Sequence, residues 1–415
     1  MSTPHFTTSR RTFIRAAALP AVLPLARGVA AAEDEPYFHR VRREFPFGEE
    51  KVPMNAANLC PSPRSVADRV SELTRDIDRD CSFQNRGKFS RFTEAARSAV
   101  AAQIGASPDE TALVRNTSEA NNIVNAGVGF GPGDDIVLWD QNHPTNNVAW
   151  DVRAARRGFA VRRVATPRHP KSAADLVAPF VDALRPETKV LSITHVSNVS
   201  GIRLPVRALA DEAHARGIHF HVDGAQSFGA VALDMEAMGA DTYSSSSHKW
   251  FCGPKECGVL FVNASRIPEL WPSVVAPGWG NDAEPDPVGA RKFESMGQRD
   301  DACLAAMETT AAFHAGIGPE RIEARVLDLA RRLKEGIREQ GIPLVTPMPD
   351  ALSAGVVIVE TPAEARREVF SRMYEEHGIA GSTSGGFRLS PHLYNTGEHI
   401  ERALAGLTAL RSLIV

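Results

Sequence analysis

From about residue 63 to 104, apolar positions recur every three or four residues, the spacing of helices with one buried face. Beyond that point short apolar runs alternate with amphipathic stretches. The runs cover 111–114, 135–139, 160–164, 189–194, 218–222, 241–245 and 258–262, and helices fit at 119–127, 144–157, 172–184 and 205–216. Apolar strands separated by helices predict an α/β domain with a mainly parallel, seven-stranded sheet covered on both faces. Sheets of this kind place ligands beyond the carboxyl ends of their strands. Residues just after each run are therefore the first candidates for chemistry.

The pattern changes near residue 306. A long helix is expected over 319–340, opened by Gly318 and Pro319, with short strands near 343–346 and 354–360 and a helix over 363–378. A Gly/Ser-rich turn at 381–386 leads to Phe387-Arg388-Leu389-Ser390, and a final helix closes the chain. The predicted organisation is an irregular N-terminal arm over 33–62, a large domain over 63–305 and a smaller α+β domain over 306–415.

Residues 1–32 read differently. Arg10-Arg11 with Phe13 precede an apolar stretch to Ala26, and Ala30-Ala31-Ala32 offers a small-residue cleavage site. That order is a twin-arginine secretory signal, so export to the periplasm or beyond is expected. The apolar stretch is broken by Pro20 and Pro24 and is too short to act as a membrane anchor.

The whole chain of 415 residues is 43% hydrophobic and 23% charged, with a formal net charge of −3. This is an ordinary globular balance, with no block of like charge to point to nucleic acid. Five cysteines, Cys60, Cys81, Cys252, Cys257 and Cys303, are scattered and odd in number. Cys252 and Cys257 are too far apart for a redox pair, and no second pair completes a zinc site, so buried free thiols are expected and no metal.

The residues after the strands carry more information. Thr117 and Ser118 sit where a helix cap belongs, and the exposed amides of such a helix start can also hold a phosphate. His143 lies in a loop where its ring can stack on a flat heterocycle or simply face water. Asn198 either donates to a ligand oxygen or stabilises the turn before Gly201.

Asp223 and Lys249 are harder to explain without a ligand. Asp223 ends a strand expected to be buried on both faces, where an unpaired carboxylate costs several kcal/mol. A protonated pyridine nitrogen would pair with it and keep the ring electron-poor. One strand later, Ser246-Ser247-His248-Lys249-Trp250 puts a lysine beside a tryptophan. Desolvation there lowers an amine's pKa and frees it for Schiff-base chemistry, with Ser246 and His248 near a phosphate. In the second domain Arg388 presents a planar fork suited to a substrate carboxylate.

Two other enzyme classes fit less well. His219 and His221 share one strand face, with His248 further on, an arrangement of the kind a metal hydrolase uses, but no carboxylate-plus-histidine set follows at metal spacing. Gly127-Val128-Gly129-Phe130-Gly131 follows a helix instead of opening one, unlike a dinucleotide fingerprint.

Asn-Thr-Ser-Glu at 116–119, His-Val-Ser-Asn at 195–198, Asp-Gly-Ala-Gln at 223–226, Ser-Ser-His-Lys at 246–249 and Arg-Leu-Ser-Pro at 388–391 together resemble the class V aminotransferase-fold enzymes. That group holds cysteine desulfurases and isopenicillin N epimerase. The resemblance implies pyridoxal 5'-phosphate (PLP), transferase fold type I and usually a homodimer acting on a small amino-acid-type substrate. It implies Lys249 as Schiff-base lysine, Asp223 on the pyridine nitrogen and His143 stacked on the ring. Gln226 and Asn198 would lie near the ring hydroxyl, and Thr117, Ser118, Ser246 and His248 at the phosphate. Arg388, helped by Asn58, would bind the substrate carboxylate, and Gln298 would reach a partner's phosphate. The leader also makes the chain similar to the periplasmic PLP enzyme that modifies the siderophore pyoverdine. One departure stands out. Residues 378–387 contain no cysteine, so a standard desulfurase mechanism, which needs a thiolate to accept sulfur, is not expected.

Overall fold

The computed structural model describes residues 25–275 and 287–415, with side chains from residue 34 onward. The Arg10-Arg11 motif and most of the expected leader lie outside the described residues. Seven strands form the central sheet: β2 (Thr111–Val114), β3 (Asp135–Trp139), β4 (Ala160–Val164), β5 (Thr188–Thr194), β6 (His219–Asp223), β7 (Thr242–Ser246) and β8 (Gly258–Val262), after a short β1 (Val52–Pro53) in the arm. Their spatial order is β2-β8-β7-β6-β5-β3-β4, and β8 alone runs antiparallel to its neighbours. The seven apolar runs thus fall on the seven strands to within a residue at either end.

Alternation along β3 explains why these runs are continuous. Val137 and Trp139 enter one hydrophobic cluster, whereas Ile136 and Leu138 enter another on the opposite face. The first cluster gathers the helices Lys88–Gln103, Ala173–Ala183, Val206–His214 and Asp301–Ile317; the second is covered by Pro144–Arg157. Strand β4 is the exception, exposed at one sheet edge. Its Arg162 and Arg163 pair with Asp135 and Asp151, and such charges keep an open edge from recruiting another strand.

The smaller domain differs from expectation at its start. Helix Asp301–Ile317 runs through the expected boundary at 305/306. It buries Ala302 and Ala305 against Leu73 and Phe89, and Leu304, Met307 and Ala311 in the main core, so the large domain extends to it. The smaller domain follows, built on Pro319–Glu339, β9 (Val357–Val359), Arg366–Glu375, β10 (Ile379–Ala380), β11 (Phe387–Leu389) and Gly397–Ala409.

The arm is not irregular. It opens as a helix, Leu25–Arg43, in which Phe38 and Val41 stand three apart on one buried face. Strand β1 then pairs in parallel with β10, and the backbone of Met54 and Ala56 bonds Ser390. The helix escaped the sequence reading because its polar residues hide a stripe that only packing reveals. Among the described residues, no helix is long and apolar enough to cross a membrane.

Candidate active site

Asp223 is the last residue of β6 and is 1% exposed. Its Oδ1 accepts from the Ala225 amide at 3.0 Å and its Oδ2 from Asn121 Nδ2 at 2.9 Å, both neutral donors. Asn121 in turn accepts from His221 Nε2 at 3.0 Å, and Thr242 meets His221 Nδ1 at 2.8 Å and His219 Nε2 at 3.0 Å. The two strand histidines thus form a neutral scaffold holding Asp223, their ring nitrogens engaged by Thr242 and Asn121. Burial, the largest influence, drops His221 to about 3 and His219 to about 4. A buried carboxylate held only by neutral groups still calls for a cation.

Lys249 lies in the turn after β7. Burial lowers its pKa, partly opposed by Asp223 and assisted by Arg388. His143 is likewise lowered, by burial first and then by Lys249 and Arg388, with Asp223 opposing. Lys249 and His143 thus lie within electrostatic reach of each other and of both Asp223 and Arg388. His143 also caps its helix, its Nδ1 meeting Thr145 Oγ1 at 2.8 Å.

The helix Thr117–Gly127 starts beside them. Its cap is Asn116, whose side chain accepts from the Glu119 amide, in place of the expected Thr117 or Ser118. Thr117 instead bonds Ser246 twice, from its amide at 2.7 Å and its hydroxyl at 2.6 Å. Ser118 is exposed, its hydroxyl 3.4 Å from Thr145. His248 Nδ1 is buried without a partner. A helix start, three hydroxyls and this nitrogen suit a phosphate.

Arg388, 3% exposed, sits on β11. Its Nη1 donates to the Asn198 carbonyl and its Nη2 to Asn55 Oδ1, each at 3.1 Å, while Nε has no partner. Burial alone lowers it to about 10. The glycine turn makes this approach possible: Gly385 has φ +74°, and a Cβ there would meet the Val199 carbonyl oxygen at 2.0 Å.

Four expected residues behave differently. Asn58 is exposed, and the arm residue on Arg388 is Asn55, because Asn55 bridges to Ser390 and is carried beside β11. Gln226 is anchored at both ends of its amide, to the Ala57 carbonyl at 3.0 Å and the Trp250 indole at 2.7 Å; one N–H stays free for a ligand. Asn198 contributes its backbone carbonyl to Arg388. Gln298 is exposed and bonded to Arg86 at 2.9 Å, with no bond to the site of its own chain. Asn121 and Asn55 were missed. A buried-face asparagine four residues after Thr117 is the one signal that could have exposed the first.

The donor set fits PLP: an acid for a ring nitrogen, an amine for an aldehyde, and a helix start for a phosphate. Residues 60–402 match the family described as Aminotransferase class-V. The chain is 32% identical over 378 residues to isopenicillin N epimerase of Streptomyces clavuligerus, covering 86% of this chain and 94% of that protein. It is 29% identical to a probable cysteine desulfurase of Methanothermobacter thermautotrophicus, covering 87% and 95%. Among solved structures, the apo cysteine desulfurase of Thermococcus onnurineus superposes with a TM-score of 0.80 at 24% identity, covering 89% of this chain and 97% of that one. A cystine C-S lyase in complex with cysteine persulfide gives 0.79 at 22%, covering 87% and 98%.

Proposed function

The chain belongs to the PLP-dependent class V aminotransferase family, and on that premise we propose that it is an exported enzyme acting at the α-carbon of an amino acid or amino-acid-containing metabolite, in the manner of an epimerase. The supporting observation is a pair of buried, opposite charges left without ionic partners, Asp223 and Arg388, with Lys249 and His143 within their field. A substrate carboxylate would answer Arg388, and a cofactor nitrogen would answer Asp223.

When bound, PLP supplies a sink for the electrons released as a bond to the α-carbon breaks. Asp223, braced by Asn121, keeps a proton on the ring nitrogen. Lys249, whose charged form burial disfavours, takes the α-proton as general base. Arg388 fixes the substrate through its carboxylate, and His143 closes one face of the site. A solvent-derived proton delivered to the opposite face would invert the centre, with Lys249 releasing the proton it took to solvent. The cysteine-free segment 378–387 supports a reaction other than standard desulfuration. A homodimer is the accompanying proposal, with Gln298 turned toward the partner's site, and export follows from Arg10-Arg11.

Incubation with amino acids in heavy water tests the reading. The expected product is recovered substrate with an inverted, deuterated α-carbon, and Lys249→Ala should lose both this exchange and the protein-bound cofactor's visible absorbance. Net keto acid formation would indicate transamination, pyruvate with ammonia elimination, and sulfide release from cysteine desulfuration; each would overturn the epimerase assignment. Fractionation of cells and sedimentation of the purified protein check export and dimerisation.

A further inference from the structure

Cysteines distant in sequence meet behind the lysine turn. Among the described residues, Cys60, Cys252 and His392 place their ligand atoms within 4.8 Å of one another, and all three are at most 1% exposed. His392 Nε2 lies 2.6 Å from the Trp250 carbonyl oxygen. A carbonyl only accepts, so Nε2 carries the proton and Nδ1 presents a lone pair. That Nδ1 is buried and has no hydrogen-bond partner. Fixing one imidazole nitrogen on a carbonyl to free the other is how proteins orient a metal-binding histidine.

The cysteines show a matching arrangement. Cys60 Sγ lies 3.3 Å from the Tyr394 hydroxyl and 4.0 Å from the Ala56 carbonyl oxygen, and Cys252 Sγ lies 3.7 Å from the Trp250 carbonyl oxygen and interacts with the Cys60 thiol. Cys252 is also the one non-glycine residue with positive φ, +54°, among the described residues. A side chain held in that region is strained and persists where surroundings demand it.

We propose that Cys60, Cys252 and His392 form a zinc site, with the Tyr394 hydroxyl on its fourth side. Two thiolates and an imidazole are a soft set suited to a tetrahedral d10 cation. At a Zn–S length of about 2.3 Å, tetrahedral ligands stand roughly 3.6–3.8 Å apart. The present spacing therefore needs to contract by no more than about 1 Å. Binding breaks two S–H bonds, forms two Zn–S bonds and releases two protons to solvent, with no change of oxidation state. The ligands come from the arm, the turn after β7 and the loop after β11, so the ion staples three separate parts of the chain. The Cys252 amide donates to the Lys249 carbonyl at 2.9 Å, and the Cys60 amide to the His248 carbonyl at 2.8 Å, so the staple holds the lysine turn from behind.

The test uses the full-length mature protein, stripped of metal under reducing conditions and titrated with zinc against a chromophoric chelator. One equivalent should bind with a Kd below about 1 µM. Cys252→Ser, Cys60→Ser and His392→Gln should each weaken it by about 100-fold or more, and Cys81→Ser, at an exposed thiol, should change nothing. Should the variants fail to fold, cobalt(II) added to the unaltered protein gives a second reading: intense long-wavelength bands of a tetrahedral, thiolate-ligated ion, outside the cofactor's absorbance. Substoichiometric binding, binding unaffected by Cys252→Ser, octahedral cobalt, or reduced protein that forms a Cys60–Cys252 disulfide in preference to taking up zinc would each overturn the proposal. Zinc binding needs no pyridoxal phosphate, so its failure is separable from that of the catalytic reading.

Discussion

Arg388 is the residue whose environment speaks most directly to function. A guanidinium that is buried, bonded only to a carbonyl and an amide oxygen, and left with an unpartnered Nε gains most from a bidentate carboxylate. Arg388→Ala should therefore lower kcat/KM by on the order of 100-fold, carried mainly by KM, because truncating one side of a buried charge pair costs several kcal/mol. Initial-rate kinetics on any turned-over amino acid check this, and an unchanged KM would place the substrate carboxylate elsewhere. Asp223 shows the limit of sequence reading at this scale. Its need for a partner was legible from its position after an apolar run, but the chain from Thr242 through His221 and Asn121 that holds it joins three elements and has no signature along the chain.

At the scale of elements, the arm decides whether the site is complete. Its helix is clamped by Glu35, which accepts two bonds from Arg325, at 2.5 and 3.0 Å, and the Gly397 amide at 3.0 Å. Burial disfavours the Glu35 charge, but Arg325 and the amide at a helix start outweigh it and hold the carboxyl at about 2, below its ordinary 4.5. Because the folded value is depressed, this stabilisation is complete above about 4.5 and disappears as pH falls toward 2. Glu35→Gln should cost roughly 1–3 kcal/mol at neutral pH, read from the denaturant midpoint, with wild type and variant converging in that acidic window. A constant difference down to pH 2 would mean that packing, not charge, accounts for the loss. The same arm carries Asn55 to Arg388, so KM should rise as well.

At the scale of the whole molecule, neutral histidines in the core set its response to acid. Burial holds His195 and His221 at about 3 and His219 at about 4, against 6.5 for an exposed imidazole. In the unfolded chain all three take up protons from about pH 6.5 downward, whereas in the fold they do not. The unfolded state then binds more protons, and stability falls as pH drops from about 6.5 toward 4. Urea unfolding measured from pH 7 to 4 should show a declining midpoint before most carboxylates titrate. A flat profile would show that these imidazoles protonate without unfolding the sheet.

Seven strands and their parallel character were legible in the chain itself, because an apolar run between helices has few places to go, and the same reading singled out Asp223 and Lys249, which the fold brings within electrostatic reach of each other. The arm's helix, the substitution of Asn55 for Asn58, and the meeting of Cys60, Cys252 and His392 were decided only in three dimensions. Each depends on contacts between segments hundreds of residues apart. Periodicity reports which face of an element is buried, but not which distant side chain it is buried against.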